Sequence, residues 1–266
     1  MSKKISLRQF LMRAGIFERA GECVDVIRSG KAEINGKAIS NPDYFFNPKK
    51  LLVTLEGRKI KKAEKLYFLF NKPSGYVCQK SSSEQSIYDV LKESSMEIRQ
   101  ARSLFAVGRL DKNTQGLMIL TNDGDISQRI SSPENKIEKE YLAVLEQPLA
   151  KIHARKIERG VEINLDGRNY KTQPCRIEFS GQNKVHVFIT EGKKRQIRKM
   201  FESVDNSVEC LKRVSIGNLR LGSLKPKEMQ KISKNSLLEG IGLNKRRLHP
   251  KNGLAASSQS PIRKIR

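Results

Sequence analysis

The chain has 266 residues and carries 52 lysines and arginines against 28 aspartates and glutamates, a formal net charge of +24. No run reaches the roughly 20 apolar residues of a membrane-spanning helix, and the amino terminus lacks the apolar core of a signal peptide, so we expect no membrane segment. The four cysteines are scattered and only three histidines are present. This pattern argues against a disulfide framework or a metal site and favours the reducing cytoplasm.

The excess of positive charge points to a polyanionic partner, and nucleic acid is the commonest one. Charge is densest in residues 244–266, which hold seven lysines and arginines and no acid, and next densest in residues 1–62. A basic surface kept only for solubility is the alternative explanation.

The first 60 residues predict two short helices followed by a small sheet. Ser6 is placed to cap the first helix, and a second helix is expected from about Glu18 to Gly30. The pair Asn35-Gly36 predicts a hairpin turn, and residues 51–55 predict a further strand. Cations fall largely off the apolar helix faces and are placed to meet a phosphate backbone: Arg8, Arg13, Arg19, Arg28 and Lys31.

In the middle of the chain, a strand over 66–70 runs into the turn-forming sequence NKPSG, which places Lys72 on a loop. Two apolar strands, 105–107 and 117–120, flank a polar loop that carries Arg109 and Asp111. Loops held by rigid strands often carry catalytic residues, although a single acid in a loop more often serves as a cap or turn residue.

Two alternating segments, 139–145 and 184–190, predict further strands. A helix is expected to follow Gly192, with cations in its first two turns. Because the helix dipole disfavours cations at that end, the arrangement indicates an anionic ligand nearby, although a solvated basic face is the simpler alternative. After residue 241 the apolar periodicity stops, which predicts a disordered basic tail.

Two stretches resemble known families. The segment from LRQFLMRAG to INGKAI resembles the S-four-type RNA-binding domain. The later motifs LFNKPSG, GRLDKNTQGL, KEY and EGKKRQIRKM together resemble the RNA pseudouridine synthases of the RsuA subfamily. Lys193 and Lys199 stand where that family usually has arginine, which keeps the charge but loses the bidentate fork.

The resemblance implies an α+β protein in three parts. A small S-four-type RNA-binding domain would span 1–62, and a catalytic domain with a mixed, mainly antiparallel sheet flanked by helices would span 63–236. A basic, disordered tail would span 237–266. The implied activity is site-specific isomerisation of uridine to pseudouridine in ribosomal RNA, with large-subunit RNA favoured over small-subunit RNA.

The same resemblance assigns roles to individual residues. Asp111 would attack the anomeric carbon of the sugar or assist loss of the base, Arg198 would be its cation partner, and Tyr141 would lie against the uracil. Arg109 would fill the space that the flipped base leaves. The other residues expected to contact the substrate are Leu69, Lys72, Thr114, Ile197, Arg195 and Lys193.

Neither a cofactor nor a metal is implied, because the reaction changes no oxidation state and needs no energy source. The expected partner is ribosomal RNA or a pre-ribosomal subunit, and the expected state is a cytoplasmic monomer. A non-catalytic RNA-binding assembly factor would share the charge and the amino-terminal module but would not need Asp111, Tyr141 and Arg198 together. A DNA-binding helix-turn-helix regulator would leave the long second domain unexplained.

Overall fold

The computed structural model describes residues 4–61 and 63–243. Residues 5–60 pack round one apolar cluster, which runs from Leu7 to Ile60. Residues 66–243 pack round two others, one on each face of a large sheet. The described residues therefore bury their apolar side chains in two successive units.

The amino-terminal unit contains the two helices and the small sheet that the sequence predicts. The Ser6 hydroxyl accepts a hydrogen bond from the Gln9 amide and forms a capping box. Asn35 and Gly36 have φ of +51° and +78°, the geometry that a tight hairpin needs. The elements are β1 (Ile5–Ser6), α1 (Leu7–Arg13), α2 (Ala20–Arg28), β2 (Ala32–Ile34), β3 (Lys37–Ala38), β4 (Phe45–Phe46), β5 (Val53–Leu55) and β6 (Arg58–Lys59). Strands β3, β2, β5 and β6 form a sheet in that order, and β1 pairs with β4.

The second unit alternates strands with short helices. Its elements are β7 (Tyr67–Lys72), α3 (Ile87–Glu93), α4 (Ile98–Ser103), β8 (Phe105–Ala106), β9 (Thr114–Thr121), α5 (Gly124–Ser131), β10 (Lys139–Leu145), α6 (Lys151–Glu158), β11 (Glu162–Leu165), β12 (Arg168–Lys171), β13 (Arg176–Phe179), β14 (Lys184–Ile189), α7 (Gln196–Glu202), β15 (Val208–Ile216), β16 (Leu219–Arg220), β17 (Met229–Lys231) and α8 (Lys234–Gly240). The strands expected over 139–145 and 184–190 agree closely with β10 and β14.

The large sheet has nine strands within the described residues, and its main path runs β13-β14-β10-β15-β9-β7-β17. Its neighbouring strands are antiparallel except for β9 and β15, which run parallel. This arrangement confirms the expected mixed, mainly antiparallel sheet. Helices α3, α4, α6 and α7 cover one face and α5 and α8 cover the other, because their apolar stripes match the alternating residues of the strands. None of the helices in the described ranges has the length and apolar character needed to cross a membrane.

Two elements differ from expectation. Helix α7 begins only at Gln196, because Arg195 adopts a left-handed conformation with φ of +52°. The cations at 193–195 therefore precede the helix, and the argument from the helix dipole does not apply to them. The expected domain end at 236 falls inside α8, whose Leu237 is fully buried and stabilises the packing by about 2 kcal/mol. The remainder of the expected tail, 244–266, lies outside the described residues.

The contacts between the two units include the turn after α1 and Glu18. Gly15 lies so close to α4 that a Cβ atom would sit 1.9 Å from the Arg99 carbonyl oxygen. The Glu18 carboxylate pairs with Lys92 Nζ at 2.5 Å and Arg102 Nη2 at 3.7 Å. The small unit therefore contacts the second unit at α3 and α4.

The parallel pair β9–β15 requires a glycine at position 116. Gly116 lies opposite Arg213 with φ of +111°, and a Cβ atom there would meet the Arg213 carbonyl oxygen at 2.2 Å. We expect Gly116→Ala to lower the free energy of unfolding by roughly 3 kcal/mol or more, because backbone must move. Gly36→Ala is the matched control: it also has positive φ but has open space around it, so about 1 kcal/mol is expected. If urea unfolding shows the same loss of free energy in Gly116→Ala and Gly36→Ala, the close approach of Gly116 to the Arg213 backbone is contradicted.

Candidate active site

A cavity of about 590 Å³ opens where the loop after β8 meets β10, β15 and the loop before α7. This volume suits a small molecule or one nucleotide. The fold brings together residues that are far apart in the sequence, from Val107 to Ile216. Among the residues expected to be functional, those that line the cavity are Arg109, Asp111, Thr114, Tyr141, Lys193, Arg195 and Ile197.

Asp111 lies in the loop between β8 and β9 and is half-buried. The five consecutive carbonyl oxygens of residues 110–114 all accept hydrogen bonds, although the segment 110–113 belongs to no helix or strand. A loop whose backbone acceptors are all engaged has little freedom to move. The Asp111 carboxyl group is therefore presented to the cavity from a fixed backbone.

Lys72 supplies three of these hydrogen bonds. It is the last residue of β7, its side chain is 0% exposed, and Nζ donates to the carbonyl oxygens of Asp111 at 3.2 Å, Lys112 at 3.1 Å and Thr114 at 2.8 Å. The Pro73 carbonyl oxygen accepts a further bond at 3.0 Å. Burial lowers the pKa of this ammonium group from 10.5 to about 8. The sequence predicts that Lys72 lies in a loop and contacts the substrate. In the structure it is instead the last residue of β7 and is enclosed behind the Asp111 loop.

Two further contacts fix the same loop. Cys78 Sγ lies 3.1 Å from the Leu110 carbonyl oxygen and accepts the Leu110 N–H at 3.3 Å. Burial raises the pKa of this thiol, which keeps it in the protonated form that can donate. The Gly75 amide donates to the Lys112 carbonyl oxygen at 2.9 Å. The turn that follows β7 therefore fits directly beneath the loop that carries Asp111.

Arg198 holds the far end of the loop. Its Nη2 donates to the Asn113 carbonyl oxygen at 3.2 Å, and its Nη1 donates to the Val208 carbonyl oxygen. The side chain is buried, which lowers the pKa of Arg198, and the nearby charge of Asp111 opposes part of this shift. Arg198 thus lies behind the cavity wall, joined to backbone carbonyl oxygens.

On the opposite side of the cavity, Tyr141 lies on β10 directly across from Arg213 on β15. Arg213 Nη1 donates to the Tyr141 hydroxyl oxygen at 3.4 Å, and Arg213 also lines the cavity. Sequence reasoning did not find Arg213, because its position opposite Tyr141 depends on strand register, which the sequence pattern does not specify.

The loop before α7 is organised by Glu191, which was also missed as an individual residue. Its carboxylate accepts hydrogen bonds from the Tyr170 hydroxyl, the Gln173 amide at 2.8 Å and Gln196 Nε2 at 2.6 Å. The Lys193 amide in turn donates to Gln196 Oε1 at 2.9 Å. This network presents the backbone of 193–195 at the rim of the cavity.

The remaining predicted residues lie elsewhere. Leu69 packs in the cluster beneath α5 and α8 and is not among the residues that line the cavity. In the amino-terminal unit, Arg8 pairs with Asp43 at 3.1 Å and Lys31 with Glu56 at 2.8 Å. The guanidinium group of Arg13 fills the space beside Gly124. Arg19 and Arg28 are exposed.

The cavity is predominantly basic. Among its lining residues, Lys139 is half-buried, and burial together with the nearby Arg213 charge lowers the pKa of Lys139 to about 8. A closely spaced set of cations on a concave surface raises the local concentration of an anionic ligand. The lining cations are Arg109, Lys136, Lys139, Lys193, Arg195 and Arg213, and the lining acids are Asp111 and Glu191.

The contacts of Lys72 predict what its removal does. In Lys72→Met, we expect faster hydrogen exchange at the amides of Gly75 and Thr114, which donate to the carbonyl oxygens of Lys112 and Asp111. Lys139→Met is the matched control, because burial likewise lowers the pKa of Lys139 to about 8, but Lys139 bonds to the carbonyl oxygens of Ile137 and Thr190. If the hydrogen-exchange rates of these amides are the same in wild type and Lys72→Met, Lys72 does not fix the conformation of the loop.

The lowered pKa of Lys72 also has a consequence for stability. Because this pKa is about 8 in the folded protein and 10.5 in an ordinary lysine, the unfolded chain binds more protons between those two pH values. Lys72 therefore makes the free energy of unfolding rise with pH over that range, by on the order of 3 kcal/mol. We therefore expect wild type to become more stable relative to Lys72→Met as the pH rises from about 8 to about 10.5. If urea unfolding gives the same difference in free energy between the two proteins at every pH, the prediction is contradicted.

The cavity lies within the segment that comparison with known proteins identifies. Residues 66–203 match the family model for RNA pseudouridylate synthase. The chain is 32% identical to the RNA pseudouridine synthase YtzG of Bacillus subtilis over 87% of this chain and 96% of the relative. It is 30% identical to ribosomal large subunit pseudouridine synthase B of the same organism, over 82% of this chain and 88% of the relative.

The fold gives the same result. A crystal structure described as a pseudouridylate synthase superposes with a TM-score of 0.63 at 29% identity and covers 89% of this chain and 99% of its own. The family match includes the Asp111 loop, Tyr141 and the start of α7, and most of the residues that line the cavity lie within the matched range. The chain therefore belongs to the RNA pseudouridylate synthase family and is an isomerase that converts uridine in RNA to pseudouridine.

Proposed function

We propose that this enzyme isomerises a specific uridine in ribosomal RNA and that large-subunit RNA is the substrate. The observation that carries the proposal is the shared cavity of Asp111 and Tyr141, in a chain whose relative from Bacillus subtilis is named for the ribosomal large subunit. The net charge of +24 and the basic lining of the cavity fit an RNA substrate. We also propose that the enzyme belongs to the RsuA subfamily.

Asp111 is the proposed catalytic group. As an ionised carboxylate, it attacks the anomeric carbon of the sugar or stabilises the positive charge that develops there as the bond to nitrogen 1 breaks. The electron pair of that bond leaves with the uracil. The base then turns, and carbon 5 forms the new bond to the anomeric carbon; if Asp111 has bonded to that carbon, its carboxylate leaves with the electron pair of the ester bond. The proton on carbon 5 is lost, and nitrogen 1 gains a proton.

Tyr141 and Arg198 support this chemistry from different directions. Tyr141 faces the cavity and is 7% exposed, so its ring can form an apolar wall against the turning base while its hydroxyl assists removal of the carbon-5 proton. Arg198 keeps the loop in place through Asn113 and puts a positive charge near the ionised Asp111. These two residues therefore stabilise the geometry and the charge of the reacting group.

The uridine has to leave its stack before it reaches Asp111. Arg109 is exposed at the mouth of the cavity, where its planar guanidinium group can stack in the space that the base vacates. Ile197 supplies apolar wall, and Thr114, Lys193 and Arg195 supply polar contacts at the rim. Because Leu69 and Lys72 lie away from the cavity, we propose no direct contact between them and the base.

We further propose that residues 1–62 form an S-four-type RNA-binding domain. The two short helices, the hairpin at Asn35-Gly36 and the exposed Arg19 and Arg28 support this assignment. The unit sits beside α3 and α4, so RNA held there can extend towards the second unit. A monomer acting in the cytoplasm on free RNA or on an assembling subunit is the proposed state.

The function is tested by mapping pseudouridines in unmodified ribosomal RNA transcripts after incubation with wild type and with Asp111→Asn. We expect one new site with wild type, in large-subunit RNA, and a loss of at least about 1,000-fold in rate with Asp111→Asn, since the nucleophile is removed. Asp166→Asn is the matched control, because it removes one exposed acid outside the cavity.

The outcomes separate the alternatives. Equal activity of wild type and Asp111→Asn would contradict the role of Asp111. Tight RNA binding without modification, on transcripts and on immature subunits alike, would favour a non-catalytic assembly factor. A site in small-subunit RNA would contradict the proposed target while leaving the chemistry intact.

A further inference from the structure

Arg213 is a buried cation that the proposed mechanism does not use. It lies in the middle of β15 and is 4% exposed. Its Nε donates to the Leu117 carbonyl oxygen at 2.7 Å and its Nη1 donates to the Tyr141 hydroxyl oxygen at 3.4 Å, while Nη2 is buried without a partner among the described residues. An unpaired buried donor costs about 1–3 kcal/mol, so an aliphatic side chain would suit this position better if packing were its only role.

The strand register explains how Arg213 reaches its partners. Tyr141 and Arg213 are directly opposite in the antiparallel pair β10–β15, so their side chains share a face of the sheet. The guanidinium carbon lies 6.0 Å from the centre of the Tyr141 ring. On its other side, β15 pairs with β9, the strand that begins directly after the Asp111 loop. Arg213 therefore connects the strand of Tyr141 to the strand that supports Asp111.

We propose that Arg213 is a positioning residue for the isomerisation: with Nε anchored on β9, its Nη1 fixes the Tyr141 hydroxyl at the cavity wall while the uracil turns. The inference rests on the proposed role of Tyr141. A turning base pushes against the ring that faces it, and a misplacement of about 1 Å costs on the order of 100-fold in rate. Arg213 opposes that displacement and sets the distance between the two sides of the cavity.

The shape of the guanidinium group is what this role requires. One planar fork reaches Leu117 and Tyr141 together, whereas the single nitrogen of a lysine is a compact donor at the end of a flexible chain. A residue that acted only through its positive charge would be replaced by lysine without loss. A residue that only braced β15 against β9 would matter equally whether or not the Tyr141 hydroxyl were present.

A double-mutant cycle separates these roles, using the transcript that wild type modifies. We expect Arg213→Met to lower the single-turnover rate about 10- to 100-fold while RNA affinity changes less than about 3-fold. In a Tyr141→Phe background, the same change should lower the rate less than about 2-fold further, because the contact is already absent. Multiplicative losses in the double variant, a loss confined to RNA affinity, or full rescue by Arg213→Lys would each overturn the proposal.

A second measurement needs no substrate. In protein labelled with carbon-13 at the ζ carbon of its six tyrosines, the Tyr141 resonance is assigned from its absence in Tyr141→Phe. We expect Arg213→Met and Arg213→Lys to shift that resonance while the other five stay in place. Lys212→Met is the matched control, because Lys212 neighbours Arg213 on β15 and lies opposite Leu142 rather than Tyr141.

An unchanged Tyr141 resonance in both Arg213 variants would overturn the positioning role whatever the activity. Wild type that modifies no ribosomal RNA would instead refute the proposed function, and the labelled resonance would then still decide whether Arg213 holds Tyr141. If Arg213→Met does not fold, Arg213→Lys supplies the same two readouts.

Discussion

The geometry of this active site depends on one buried ammonium group. Lys72 is enclosed and donates to four backbone carbonyl oxygens, three of them in the segment that presents Asp111. Burying a charge is costly, but these carbonyl dipoles replace water, and the loop gains donors that no neighbouring strand supplies. The carboxyl group of Asp111, the proposed catalytic group, is thus held through its own backbone, and these hydrogen bonds do not use its oxygens.

Three of the most buried cations in the second unit donate hydrogen bonds to other groups of the protein. Lys72 and Arg198 hold the Asp111 loop, and Arg213 joins β15 to Leu117 and Tyr141. Other cations, such as Arg8 and Lys31, are paired with acids at the surface. The net charge of +24 therefore indicates the class of partner correctly but overstates how much charge faces that partner.

Local chemistry made much of the fold predictable from the sequence. Ser6 capping, the Asn35-Gly36 turn and the alternation over 139–145 depend on neighbouring residues, and each appears in the structure as expected. The strand pattern placed Asp111 in a loop between two apolar strands, but its proposed role came from the resemblance of GRLDKNTQGL to a known family. Lys72 and Arg213 were misplaced or missed because their partners lie 39 to 96 positions away in sequence, and only the register of the sheet brings them together. The left-handed turn at Arg195, which delays α7, also lacks the glycine that usually marks such a turn.

The parallel pairing of β9 with β15 has a consequence for the order in which the protein is completed. The Asp111 loop is bounded by β8 and β9, yet Arg198 closes its far end and β15 lies against Gly116. Contacts between segments so far apart close large loops and form slowly. A nascent chain that has emerged only as far as β14 carries Asp111 and Tyr141 but lacks the residues that set their separation. The enzyme is therefore assembled late in its own synthesis, and a growing chain meets the RNA around it before it has a finished catalytic centre.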